Sequence, residues 1–316
     1  MASQQSPRSK TSDLRRIKDL SKRRTLSNAL SLAAPLAAIK YASAWTISQH
    51  MGNPRKRTME SLAGTTTSLF TPKTSSFDVL WAGNFPEHIG IPVEIHTLIL
   101  GTHPSVTSLK ENKYFGHPMN AFWWIAGDCL GFRRDEGLTV AGNPYKFTSQ
   151  LRYGPERTIP YSDQSYIFAS QGFALWDVVK ECRREGSLDS AIKGEIPNDI
   201  RGFCEEHPSI QRLVLANGGT ACTIFNKHFK EWWASGNLKP GTNVESIKAF
   251  GKFSNYCRQM EPSQIECISA ISVSPAAATY SYSQKRDFWE KYVYGPGLKK
   301  FEGQQSRGSP TFAEEI

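Results

Sequence analysis

Three short, aliphatic-rich runs, each cut off by a loop of small and polar residues, constrain this chain more than any other feature of its sequence. Ile95 to Leu100 (IHTLIL) runs into Gly101 and Pro104, Ile210 to Ala216 (IQRLVLA) into Asn217-Gly218-Gly219, and Glu266 to Val273 (ECISAISV) into Ser274-Pro275. A strand covered on both faces reads as a near-continuous apolar run, whereas a half-exposed strand alternates. Apolar spacing between the runs predicts helices over Asn120 to Leu130, Phe173 to about Arg184, Asn198 to Glu206, from the Asn-Gly-Gly turn to about Lys230, and Ser283 to Val293. Strands alternating with helices predict an α/β fold, a three-layer α/β/α sandwich with a mostly parallel central sheet. Ligands of such sheets sit beyond the carboxyl ends of the strands. That rule brings Gly101–Ser105, Asn217–Gly219 and Ser272–Ala276 to one rim.

Charge divides the chain. Residues 1–60 hold 12 Lys/Arg against 3 Asp/Glu, which accounts for the whole net charge of +9. The remaining 256 residues hold 26 of each sign. The expected organisation is a basic, largely disordered arm over residues 1–75, an α/β domain over 76–300 and a flexible tail over 301–316. A basic arm ahead of a neutral domain attracts a polyanion in a salt-sensitive way. The clusters Lys22-Arg23-Arg24 and Arg55-Lys56-Arg57 each match half of a nuclear import signal. The Ser/Arg-rich, acid-poor start also has the composition of an organellar transit peptide. The nucleus is therefore the expected location, with the mitochondrion as the alternative.

Several chemistries lack their footprint. No apolar stretch approaches the ~20 residues of a membrane span. The six cysteines contain no CxxC pair, so thiolate-held zinc and cysteine-bound iron–sulfur clusters have no ligand pattern. There is no GxxxxGK[ST], no GxGxxG after a strand, no GxSxG, and neither His103 nor His117 belongs to an HExxH. No lysine lies within GTHPS (Gly101–Ser105) or SVSPAAA (Ser272–Ala278), which leaves Schiff-base chemistry without a nucleophile there. The expectation is a reaction that needs no metal or redox cofactor. The segment YFGHPMNAFWW (Tyr114 to Trp124) offers Phe115 as a flat apolar face and Asn120 as a neutral amide in the first turn of a helix. That pair suits a planar, uncharged, hydrogen-bonding ligand such as a nucleobase. The competing reading makes Phe115 a core residue, as Phe122 and Trp123 are expected to be.

Taken in order, GTHPS, YFGHPMNAFW, LWDVVKECRREGSLDSAIKGEIPNDI (Leu175 to Ile200), LVLANGGTA (Leu213 to Ala221) and SVSPAAA resemble the uracil-DNA glycosylase superfamily. The nearest branches are the hypoxanthine-DNA glycosylases and the mismatch-specific uracil/thymine-DNA glycosylases. The resemblance spans roughly residues 93–295. It implies the fold named above and a monofunctional DNA glycosylase: an enzyme that flips a deaminated or mismatched base out of DNA and hydrolyses its N-glycosidic bond, leaving an abasic site. The implied partner is DNA carrying hypoxanthine or uracil, bound by a monomer with no membrane association.

The resemblance also assigns residues. Asn120 matches the asparagine that positions water in the hypoxanthine branch, and Phe115 the aromatic that stacks on the base. His103 stands where the mismatch-specific branch has a water-positioning asparagine and other branches an aspartate, and is expected to assist Asn120. Thr102, Ser105 and Asn217 line the base pocket. Ser272, Ser274 and Pro275 match the motif that touches the DNA backbone, with Lys285 and Arg286 extending that surface unless they form an ordinary solvated helix face. Ala276 to Ala278 replace the larger residues that plug the duplex elsewhere, leaving Tyr280 or Tyr282 for that role. Two alternatives stay open: a specialised or inactive DNA-binding relative, and an N-glycosidase acting on small nucleosides.

Overall fold

The computed structural model describes residues 73–86, 93–135, 139–140, 143–144, 146–258 and 264–299. The expectations for residues 1–72, with both basic clusters, and for the tail over 301–316 lie outside the described residues. Five parallel strands form the central sheet: β2 (Thr97–Gly101), β3 (Phe173–Asp177), β6 (Arg212–Leu215), β7 (Leu238–Pro240) and β8 (Ile265–Ser269), in the order β7-β8-β6-β2-β3. A smaller antiparallel sheet joins β1 (Lys73–Ser75), β4 (Val179–Arg183) and β5 (Lys193–Pro197) in the order β1-β4-β5. Residues 73–75, expected at the end of the arm, thus form an edge strand.

The strands β2, β3 and β6 are buried on both faces because two layers of helices cover them, whereas the edge strand β7 exposes Lys239. Leu98, Leu100, Leu213 and Leu215 point to one side. They pack with residues of α4 (Ile200–Glu206), α5 (Gly219–His228), α6 (Lys230–Ala234) and α7 (Val244–Phe250). Ile99, Phe173, Leu175 and Val214 point to the other, against α2 (Phe122–Leu130), α3 (Tyr161–Ser170) and α8 (Tyr282–Trp289). The alternation of neighbouring residues between two cores is the period of a strand. The three-layer sandwich expected from the sequence is therefore the observed fold.

One predicted element is wrong in kind. The helix expected from Phe173 to Arg184 is two consecutive strands, β3 in the central sheet and β4 in the side sheet. A short apolar run does not distinguish a buried strand from a buried helix by periodicity alone. Here Phe173, Trp176, Val178 and Val179 favour the extended form. The sequence reading also left out α1 (Val106–Glu111), α3, β5, α6, α7 and the three-residue β7.

Register sets the working edge. Gly101 pairs with Asp177, Leu100 with Leu215, and Leu215 with Ser269. The strands end level, and the loops that follow them emerge side by side.

Candidate active site

Those loops enclose a cleft of about 670 Å³. Its walls include His103 and Ser105 after β2, Phe115 and Asn120 before α2, Asp177 at the end of β3, Asn217 after β6, and Ser272, Ser274 and Pro275 after β8. Of the residues assigned from the sequence, Thr102, Lys285 and Arg286 do not line it.

Phe115 is partly buried and lies on Phe122 with ring centroids 4.4 Å apart and planes 22° from parallel. Its backbone takes φ +49°, a left-handed conformation costly for a bulky side chain. The turn that imposes it is tied from four sides. The Trp123 indole donates to the Tyr114 carbonyl at 2.7 Å and that of Trp124 to the Pro118 carbonyl at 2.9 Å. The Ser108 hydroxyl accepts from the Gly116 amide at 3.0 Å. The guanidinium of buried Arg134, shortly after α2, donates to the Gly116 and His117 carbonyls at 2.9 and 3.2 Å. Backbone strain of ~1–3 kcal/mol is small beside the burial of Phe122, Trp123 and Trp124, worth roughly 1.5–3 kcal/mol each.

Asn120 immediately precedes α2. Its Oδ1 accepts from the Phe122 amide at 2.9 Å, a local turn that fixes which end of the carboxamide faces the helix. The Ala121 amide donates to the Val273 carbonyl at 2.9 Å, which ties this helix start to the loop after β8.

His103 departs from its expected role. Its Nδ1 lies 3.2 Å from the Val179 carbonyl, which can only accept, so Nδ1 carries the proton. Nε2 then accepts from the Thr74 hydroxyl of β1 at 3.0 Å. Both nitrogens are committed to the side sheet, and neither is left to hold a water. Burial, together with the Arg184 charge, pushes the ring pKa down to about 4 against a backbone hydrogen bond that raises it, so the imidazole is neutral.

Thr102 is fully buried and works from behind the pocket. Its hydroxyl donates to Asp189 Oδ2 at 2.6 Å, so its oxygen has lone pairs alone to offer Asn217, whose Nδ2 donates to it at 3.2 Å. Asp189 also lies 3.4 Å from Arg184, whose guanidinium donates to the carbonyls of His103 and Pro104. Arg184 and Asp189 were absent from the sequence assignment, although the segment containing them carried much of the resemblance. Ser105 caps α1, its hydroxyl accepting from the Ser108 amide at 3.1 Å.

The loop after β8 is held by its own serines. Ser272 Oγ accepts from the Ser274 amide and Ser274 Oγ from the Ala276 amide, each at 3.2 Å. Lys285 is buried and donates to the Ser274 carbonyl at 3.1 Å, so it supports this loop and does not extend the surface. Arg286 donates to the Gln150 carbonyl at 2.8 Å and lies 3.4 Å from Asp128. The inward position of Lys285 follows from helix geometry: Tyr282, Lys285 and Trp289 share the inner face of α8. Tyr282 is buried with its hydroxyl on Asp128 at 3.0 Å, which removes it as a duplex plug. Tyr280 is 39% exposed, whereas Leu188 is 62% exposed and stands on the cleft wall.

A second groove of about 770 Å³ adjoins the first and shares Asn217, Ser272 and Ala277 with it. Lys227, Lys248 and Lys252 line it. Among the described residues there is no group of three or more His, Cys, Asp or Glu arranged to hold a metal ion, and no helix long and apolar enough to cross a membrane.

Asp177 is the residue that the sequence reading missed altogether. It was hidden by the mistaken helix. Read as the last residue of a buried strand, it falls beside Gly101 at the ligand-binding edge.

No protein-family model matches the chain. The hypoxanthine DNA glycosylase of Methanosarcina acetivorans is 33% identical over 137 residues, covering 43% of this chain and 71% of that protein. Its counterpart in Methanosarcina barkeri is 32% identical over 134 residues, covering 42% and 69%. A solution NMR structure from Methanosarcina acetivorans, of a protein assigned to the uracil DNA glycosylases, aligns over 72% of this chain and 99% of that one. That alignment has 22% identity and a TM-score of 0.43.

Proposed function

The chain belongs to the hypoxanthine-DNA glycosylases of the uracil-DNA glycosylase superfamily, and from that premise we propose that it removes hypoxanthine or uracil from DNA by hydrolysis, leaving an abasic site for repair. The observation that carries this reading is the convergence of Phe115 and Asn120 with three strand-end loops on one cleft. An aromatic plate and a neutral amide facing a nucleotide-sized space are what an everted base requires. The groove beside the cleft, lined by Lys248 and Lys252 with Glu245 and with a Lys227 paired to Glu195, extends the surface on which a strand of DNA could lie.

The target nucleotide swings out of the stack at a cost of a few kcal/mol, least for a mispaired base. Phe115 stacks on the base, while the hydroxyl protons of Ser272 and Ser274 hold flanking phosphates, contacts that position the DNA without reading it. The bond between C1′ and the base nitrogen breaks with its electron pair leaving on the base. A water held by Asn120 adds its oxygen to C1′. One water proton ends on the departing base and the other stays on the new sugar hydroxyl. Developing negative charge on the base is met by hydrogen-bond donors lining the pocket.

The test is free-base release from duplex and single-stranded oligonucleotides holding one hypoxanthine, uracil or mismatched thymine, with free inosine and uridine as controls. Release from DNA and not from nucleosides is the expected result; no release from any oligonucleotide overturns the proposal. Asn120→Ala is expected to slow single-turnover release by about 100-fold with DNA affinity unchanged. Phe115→Ala is expected to weaken capture of the base by roughly 1–3 kcal/mol, read as a loss of affinity for lesion-containing over undamaged DNA.

A further inference from the structure

Asp177 closes the inner end of the cleft. It is 3% exposed, and its Oδ2 is fully buried with no hydrogen-bond partner among the described residues. A carboxyl in such a place costs several kcal/mol unless a partner compensates it. Asn198 donates to the Asp177 backbone carbonyl at 2.8 Å, and Gly101 is the neighbour whose missing side chain leaves the carboxyl room. Across Gly101 stands the Phe115 ring, the proposed stacking surface. The buried Asn217 Oδ1 likewise has no partner among the described residues, and its amide nitrogen is pinned away by Thr102.

We infer that Asp177, as a neutral carboxylic acid, reads the flipped base: its O–H donates to a ring carbonyl oxygen while its other oxygen accepts from the adjacent ring N–H. This rests on the glycosylase reading above and narrows its substrate to bases with a lactam edge, a carbonyl beside an N–H. Hypoxanthine and uracil both have one. A protonated carboxyl and a lactam form two hydrogen bonds at once, and the donor strengthens as negative charge gathers on the leaving base. Asn217 Oδ1, a fixed acceptor, disfavours bases that present a bare ring nitrogen there.

The electrostatics agree with this geometry. Burial, reinforced by the Asp189 charge and opposed by Arg184, pushes the Asp177 carboxyl up to about 8. The other titratable groups nearby are Tyr114, His103 and His117. Tyr114 is held above its ordinary value, and burial lowers both histidines, so these three do not titrate near the same pH.

The experiment measures single-turnover release of hypoxanthine and uracil from duplex DNA by the full chain across neutral and alkaline pH. The wild-type rate is expected to fall about tenfold per pH unit above about 8. Asp177→Asn keeps a donor and an acceptor but cannot ionise. It should stay within about tenfold of the wild-type rate at neutral pH and lose this alkaline limb, leaving the later fall set by the base's own N–H. Asp177→Ala should lose about 100-fold with binding of undamaged DNA intact. An alkaline limb that persists in Asp177→Asn, or a wild-type rate in Asp177→Ala, overturns the assignment while the glycosylase reading stands. Should Asp177→Ala not fold, the Asp177→Asn profile decides by itself. Absence of release by the wild-type chain overturns both.

Discussion

At the scale of single residues, His103 shows how a position can keep its place in a motif and change its work. The imidazole stands on the cleft wall, yet burial holds it neutral and hydrogen bonds to Thr74 and Val179 turn both nitrogens toward the side sheet. Its pKa is about 4 in the folded chain against 6.5 when unperturbed. Between those values the unfolded chain binds more protons than the folded one, so this group's contribution is present above pH 6.5 and is lost as pH falls toward 4. The expected loss is on the order of 1–2 kcal/mol after allowance for screening at the cleft. Denaturant melts of wild type and His103→Gln across that window check it: the variant's stability should be flatter with pH. Base release at neutral pH should change less in His103→Gln than in Asn120→Ala. The sequence shows the histidine in the loop, but its partners come from residues 29 and 76 positions away, and no local pattern announces them.

At the scale of elements, the legible parts were those with one dominant period. The aliphatic runs behind β2, β6 and β8 lie in buried parallel strands, and α2 follows from its apolar stripe. What failed was the stretch from Phe173 to Arg184, where one segment leaves the central sheet and enters the side sheet within a single residue. That passage is a property of the tertiary fold, and it concealed Asp177. The helix α8 teaches the converse lesson. Spacing alone would have put Lys285 inward with Tyr282 and Trp289, against the habit of reading every basic residue near a nucleic-acid loop as a phosphate contact. Lys285→Ala is therefore expected to destabilise the fold by about 1 kcal/mol and to loosen the loop after β8, slowing base release. Neither it nor Arg286→Ala should lower the salt slope of DNA binding, since neither side chain reaches the cleft. Thermal melts and affinities at several salt concentrations measure the two effects; a slope reduced by about one in either variant would restore it to the DNA surface.

At the scale of the whole molecule, charge and chemistry are kept apart along the chain. Residues 61–316 are balanced, and the net positive charge belongs to the first 60. Deleting residues 1–60 should weaken DNA binding chiefly at low salt and flatten its salt dependence, while single-turnover release from saturated complex keeps its rate. Titrations at several ionic strengths test this, and an unchanged slope would mean that the arm does not touch DNA.

Gly101 sits where the outermost strand pair ends, with the Phe115 ring on one side and the Asp177 carboxyl on the other. A methyl group added there would collide with the carboxyl and lie 3.5 Å from the edge of the ring. Its backbone is extended strand that alanine adopts freely. Gly101→Ala should thus yield a well-folded protein that still grips and searches DNA but cannot admit a nucleotide, a decoy that marks lesions without erasing them. One carbon atom separates an eraser from a bystander, and a gel-shift assay run beside a cleavage assay would tell the two apart.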